Sequence, residues 1–166
     1  MKKLILAVCL VITIFAAQAQ TKVTKAAITG KWAIAVMNMD GMIYYDIEKD
    51  SLALGKKMIE QLASMGQDSS AAVDMMKGQL ESVKEVSFEF NENGTYSMEG
   101  STPGGGVETG SYTVDEATET IIATSKKSGE KQEMKASFKD GKLIINMPGG
   151  QAGAPSVSMH FKKAKQ

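Results

Sequence analysis

The run Gly30-Lys31-Trp32-Ala33-Ile34-Ala35-Val36-Met37-Asn38-Met39 reads as a β-strand with apolar residues on both faces. Pleat alternation places Trp32, Ile34 and Val36 on one side, and Ala33, Ala35, Met37 and Met39 on the other. A strand apolar on both sides needs cover on both sides. Trp32 is the only tryptophan in the chain. Asp40-Gly41 follows as a turn signal. Met42 to Glu48 then alternates Ile43, Tyr45 and Ile47, the pattern of a short strand paired with the first.

From Asp50 to Lys84 the period changes from two to helical. Leu54, Met58, Leu62 and Met65 share one face, and Gly66 is a stop. Asp68 or Ser69 caps a second helix whose apolar face is Ala72, Met76, Leu80 and Val83. The expectation is a helical hairpin at about 50–84, its methionine stripes turned to a core or lid.

From Val86 onward the chain is strand and turn. Val86, Phe88 and Phe90 alternate with polar residues, and Asn91 to Gly94 is a tight loop. Strands follow through Tyr96 and Met98, Val107 to Val114, Thr120 to Ser125, Lys131 to Lys139, Leu143 to Met147, and Val157 to Phe161. With the first strand this makes an eight-stranded meander. Longer connections (the helical insert, Gly100 to Gly106, Lys126 to Glu130, Pro148 to Pro155) alternate with shorter ones (Asn91 to Gly94, Asp115 to Glu119, Asp140-Gly141). Alternate loops of an up-and-down barrel lie at opposite ends, so one end should be tight and the other ringed by long loops. The fold class expected is mainly β: an up-and-down antiparallel β-barrel with an α-helical hairpin inserted after the first strand.

Upstream, Gln20 to Ala27 is a polar lead-in with helix potential from Val23. Residues 1–19 have the form of a signal peptide: Lys2 and Lys3, an apolar stretch from Leu4 to Phe15, then Ala17-Gln18-Ala19. That stretch is shorter than the roughly 20 residues a membrane span needs. The mature domain would then be 20–166, exported to a periplasmic or extracellular space. Cys9, the single cysteine, lies inside the signal. Val8 is not the small residue that precedes a lipidated cysteine, so ordinary cleavage is favoured over anchoring. A mature chain without thiols forms no disulfide and no thiolate site.

The 166 residues fit one domain, and 19 basic side chains balance 19 acidic ones. Every basic residue is lysine. A neutral chain without arginine lacks the basic footprint and bidentate donors of nucleic-acid readers.

Gly30-x-Trp32 at the first strand, Phe90 with Asn93-Gly94-Thr95-Tyr96, Gly110-Ser111-Tyr112-Thr113-Val114 and Asp140-Gly141-Lys142-Leu143 occur in order. In these the chain from Ile28 to Lys163 resembles lipocalin-like domains of bacterial exported proteins. Of the second lipocalin motif only Asp140 is present, and the closing arginine is missing. The resemblance implies a calycin-type barrel that takes a small apolar or amphipathic molecule. The ligand-facing candidates are Phe88, Tyr96, Met98, Tyr112, Met134 and Met147 inside, with Met58 and Met76 in a helical lid. It also implies a cation over Trp32 at the closed end. Parity along Val157, Met159 and Phe161 gives that place to Lys163, with Lys162 pointing outward.

His160, the single histidine, falls on the outer face of the last strand. One outward histidine makes no nucleophile–base pair. Asp46, Glu48 and Asp50 match the start of a calcium loop, but Ser51 stands where glycine is required and Lys57 where glutamate is required. The Gly-rich loops lack a following Lys-Ser/Thr. The expectation is a non-enzymatic protein without metal or cofactor. Because the inward residues Phe88, Phe90, Tyr96, Met98, Tyr112, Met134 and Phe138 are bulky, a second reading stands beside ligand binding: a filled barrel that docks another protein.

Overall fold

The computed structural model describes residues 21–100, 106–149 and 155–164. The expected signal peptide and Cys9 lie outside the described residues, as do parts of the Gly-rich loop and of the loop before the last strand.

A short helix, α1 (Lys25–Ile28), precedes β1 (Gly30–Met39). A hairpin of β2 (Ile43–Asp46) and β3 (Ser51–Leu54) follows, then helices α2 (Lys56–Ser64) and α3 (Ser69–Gln79) and a 3-10 turn, Glu81–Glu85. Seven strands complete the chain: β4 (Ser87–Phe90), β5 (Thr95–Glu99), β6 (Glu108–Asp115), β7 (Thr120–Ser125), β8 (Lys131–Lys139), β9 (Lys142–Met147) and β10 (Val157–Lys163). Each pairs antiparallel with its neighbour, and β10 returns to β1. The result is the expected closed eight-stranded up-and-down barrel of β1 and β4 to β10.

β1 shares one edge between two partners. Gly30 to Ala33 pair with β4, whereas Val36 to Met39 pair with β2. A bulge between Ile34 and Val36 shifts the register against β10. The extra residue reverses pleat parity. The core face is therefore Trp32 and Ile34, then Met37 and Met39, not the unbroken Trp32-Ile34-Val36 series of the sequence reading. Val36 lies opposite Asp46 and His160, on the other face.

One further expectation holds and one changes. Met42 to Glu48 does supply a strand, β2. The helical segment, however, begins only after β3, because Ser51 to Leu54 pairs back onto Asp46 to Ile43. Leu54 therefore belongs to a strand and not to the helical stripe. Asp68 caps α3, its Oδ1 accepting from the Ser70 and Ala71 amides. α3 packs on β3, α2 on α3, and the 3-10 turn on β1. Leu62 and Ala72 are buried within this segment, while Leu80 and Val83 reach the barrel core.

The three short connections meet at one end, and α1 closes it. Val23 and Ile28 are fully buried there. Thr24 caps α1 by accepting from the Ala27 amide at 3.1 Å. The Trp32 Nε1–H donates to the Ile28 carbonyl at 2.6 Å. Lys163 lies opposite Trp32 in the register, with its Nζ 5.1 Å from the ring centroid. Gly30 leaves room for that lysine: a Cβ there would sit 3.2 Å from Lys163 Cε. Lys162 points away and pairs with Glu48 at 2.8 Å. Above this floor the barrel is filled by rings. Phe88 stacks on Phe90 at 5.5 Å, and the edges of Phe161 and Tyr112 meet that pair.

Candidate functional site: a polar cleft at the barrel mouth

The opposite end holds a cleft of about 1050 Å³ between β5, β6, β7 and β8. Its walls are Tyr96, Glu108, Ala123, Ser125 and Gln132, and its rim is Val107 with the turn from Lys126 to Lys131. Glu108 shares parity with Gly110, Tyr112 and Val114, the barrel-facing series of β6. In the register Ser125 lies opposite Gly110, Ala123 opposite Tyr112, and Gln132 opposite Ala123. Gly110, Ala123 and Ser125 carry too little side chain to continue the ring packing that fills the barrel below, and the volume opens where they begin.

Tyr96 joins floor and cleft. Gly110 lies directly across from it, and a Cβ on Gly110 would fall 2.6 Å from Tyr96 Cε1 while striking the Thr124 carbonyl. The tyrosine ring therefore occupies the space a β6 side chain would take. Its hydroxyl donates to Glu108 Oε1 at 3.1 Å. Burial, and secondarily this carboxylate, pushes the Tyr96 phenol up to about 12, so it stays a donor. Glu108 Oε2 takes no partner among the described residues.

The rim turn is held by its backbone. Ser125 N–H donates to the Glu130 carbonyl at 3.0 Å, and Lys126 N–H to the Thr109 carbonyl at 2.9 Å. Ser128 Oγ donates to Glu130 Oε2 at 3.4 Å. Lys126, Lys127 and Lys131 are exposed and form no ion pair among the described residues. A second, shallower groove of about 560 Å³ includes hydroxyls of Thr95, Ser97, Thr109, Ser111 and Thr124. It shares Tyr96, Thr109, Ser125 and Lys126 with the cleft.

Of the residues expected to face a ligand, Tyr96 lines the cleft. Phe88, Tyr112 and Met134 are buried in the packed core. Met98 and Met147 are half-buried against that core and do not line the cleft. Met58 and Met76 are half-buried on α2 and α3 and contribute nothing to its walls. The sequence reading missed Glu108, Ala123 and Ser125. Parity with Tyr112 and Ile121 would have placed them inward. Gln132 shares parity with Met134 on β8 and could have been found the same way.

His160 is half-buried on the outer face, across from Val36 and Ile144. Burial, with Lys142 and Lys139 nearby, lowers its pKa. Among the described residues, no group of three or more His, Cys, Asp and Glu side chains could hold a metal ion. No described helix is long and apolar enough to cross a membrane.

A closed eight-stranded meander with a helix at its tight end is compatible with a calycin-type barrel. No protein-family model and no curated protein sequence matches the chain. Among solved structures the chain is similar to a crystal structure of a duf4847 family protein from Bacteroides vulgatus ATCC 8482. That similarity has 13% identity and a TM-score of 0.49, over 83% of this chain and 94% of the other.

Proposed function

We propose that this chain is an exported, lipocalin-like, non-enzymatic binding protein that takes a small amphipathic molecule in the mouth of its barrel. One observation carries the reading: a cleft of about 1050 Å³ opens above a floor already filled with aromatic rings. The ligand therefore enters the mouth and not the barrel axis. The lining mixes the Tyr96 ring, Ala123 and Val107 with carboxylate, hydroxyl, amide and ammonium groups, which suits an amphipathic molecule better than a purely apolar one. Export rests on the leader sequence, and a mature mass beginning at Gln20 is the result expected from native-envelope protein.

The direct test is titration with 1-anilinonaphthalene-8-sulfonate. Saturable binding is expected, and it should be lost in Ser125→Trp, which fills the cleft. Absence of saturable binding, or unchanged binding in that variant, would refute the reading. A second reading, a docking module for another protein, draws on Ile59, Met65 and Met75. These stand 45%, 55% and 60% exposed on the helical segment. Under it the cleft would take no dye, and charged substitutions at Met65 and Met75 would abolish partner capture.

A further inference from the structure

We infer that the molecule bound in the mouth cleft is a zwitterion with an apolar body, its cationic donor on Glu108 and its acidic group among Lys126, Lys127 and Lys131. This rests on the binding reading above and gives it a ligand class. Glu108 is the barrel-facing carboxylate of the wall. One of its oxygens is fixed by the Tyr96 hydroxyl at 3.1 Å, which sets the carboxylate's orientation. The other oxygen is unpartnered among the described residues, and Glu108 belongs to the cleft lining. A half-buried carboxylate with a free oxygen best receives a charged N–H donor.

The rim has the opposite sign. The three lysines line the same cleft, and no carboxylate pairs with them among the described residues. The other carboxylate of the lining, Glu130, is engaged by Ser128. A plain anion reaching inward would meet Glu108. A plain cation would have to lie among three ammonium groups. A molecule carrying both charges satisfies both ends, and each end rejects the wrong orientation. In the same lining the Tyr96 ring, Ala123 and Val107 offer apolar contact to a short methylene chain.

The test uses three probes of one length: 6-aminohexanoate, hexanoate and hexylamine. Each is titrated into ¹⁵N-labelled protein while the amides of Glu108, Ala123, Ser125 and Gln132 are followed. The aminohexanoate should bind at least about tenfold tighter than either single-charge probe, the scale of one charge-assisted hydrogen bond. Glu108→Gln should reduce it to the hexanoate level. Joint replacement of Lys126, Lys127 and Lys131 by alanine should reduce it to the hexylamine level. Unchanged spectra elsewhere in each variant verify the fold. Equal affinity for all three probes, or no effect of Glu108→Gln, would overturn the inference. If the naphthalene dye still binds saturably in that case, the binding reading stands and only the ligand class is wrong. If neither dye nor probe binds, both fail.

Discussion

Replacing Lys163 by alanine probes the closed end through the one tryptophan. The Lys163 ammonium lies 5.1 Å from the Trp32 ring centroid, and Trp32 is 3% exposed. A cation over an indole at a partly exposed site contributes about 0.5–1 kcal/mol. A lysine that reaches the ring brings its methylene stem with it, and each fully buried methylene is worth about 0.8 kcal/mol. Because Lys163 is itself exposed, only part of that applies, and the expected total loss is about 1–1.5 kcal/mol. For a domain of this size that lowers Tm by about 4 °C. The indole face becomes hydrated, so tryptophan emission should move to longer wavelength. Lys163→Met keeps the methylene cover without the charge and should recover roughly half of the loss. Lys162→Ala is the control: its ion pair with Glu48 at 2.8 Å stands in water, which screens it, so emission and stability should hold. Wild-type emission and Tm in Lys163→Ala, or a larger effect from Lys162→Ala, would refute the placement.

Three other perturbations have defined outcomes. Asp50 is held down to about 2, first by the hydrogen bond from Lys84, then by those from Tyr45 and Lys77. Its folded value lies below its unfolded one, so its contribution is whole above about pH 4 and is lost as pH falls towards 2. The gap in urea midpoint between wild type and Asp50→Asn should therefore be constant above pH 4 and close below it; a gap independent of pH would contradict the clamp. Leu62→Ala, at a side chain 5% exposed, should cost about 2 kcal/mol in chemical denaturation. Met65→Ala, at one 55% exposed, should cost almost nothing, and equal effects would mean that α2 is not packed. Gly110→Ala drives a Cβ into the Thr124 carbonyl and the Tyr96 ring and should cost about 2 kcal/mol or more; wild-type stability there would disprove the close approach of β5, β6 and β7.

The closed end was legible because its signals are local and strictly periodic. Short turns at Asn91 to Gly94, Asp115 to Glu119 and Asp140-Gly141 mark every second strand junction. Val157, Met159 and Phe161 carry the phase to Lys163 without interruption, and the structure sets Lys163 opposite Trp32 as that phase required. The bulge in β1 was not legible. Ala33 to Met37 is apolar at every position, so a change of phase between Ile34 and Val36 leaves no trace in the pattern. Leu54 was misassigned for a related reason: Leu52 and Leu54 fit a strand alternation as well as Leu54 and Met58 fit a helical turn. The cleft was obscured by composition. Apolar side chains were taken as the ligand surface, whereas in this barrel they are the floor. The polar inward residues Glu108, Ser125 and Gln132 lie above them.

The shared edge of β1 explains why cleft and helices ended up apart. β4 is four residues long and reaches only Gly30 to Ala33, so beyond Ala33 that edge of β1 is taken by β2. On that side the wall is completed by the β2–β3 hairpin, with the helical segment packed behind it. Asp50 ties the two together through Tyr45, Lys77 and Lys84. β5 to β8 face no such interruption and pair in sequence. Glu108, Ser125 and Gln132 thus stand on one continuous ladder, which under the binding proposal leaves little backbone freedom to lose on association. The helical segment buttresses the interrupted wall, so substitutions in it should alter stability before they alter binding. A loss of dye affinity in Leu62→Ala at full folding would show instead that the helices act on the cleft.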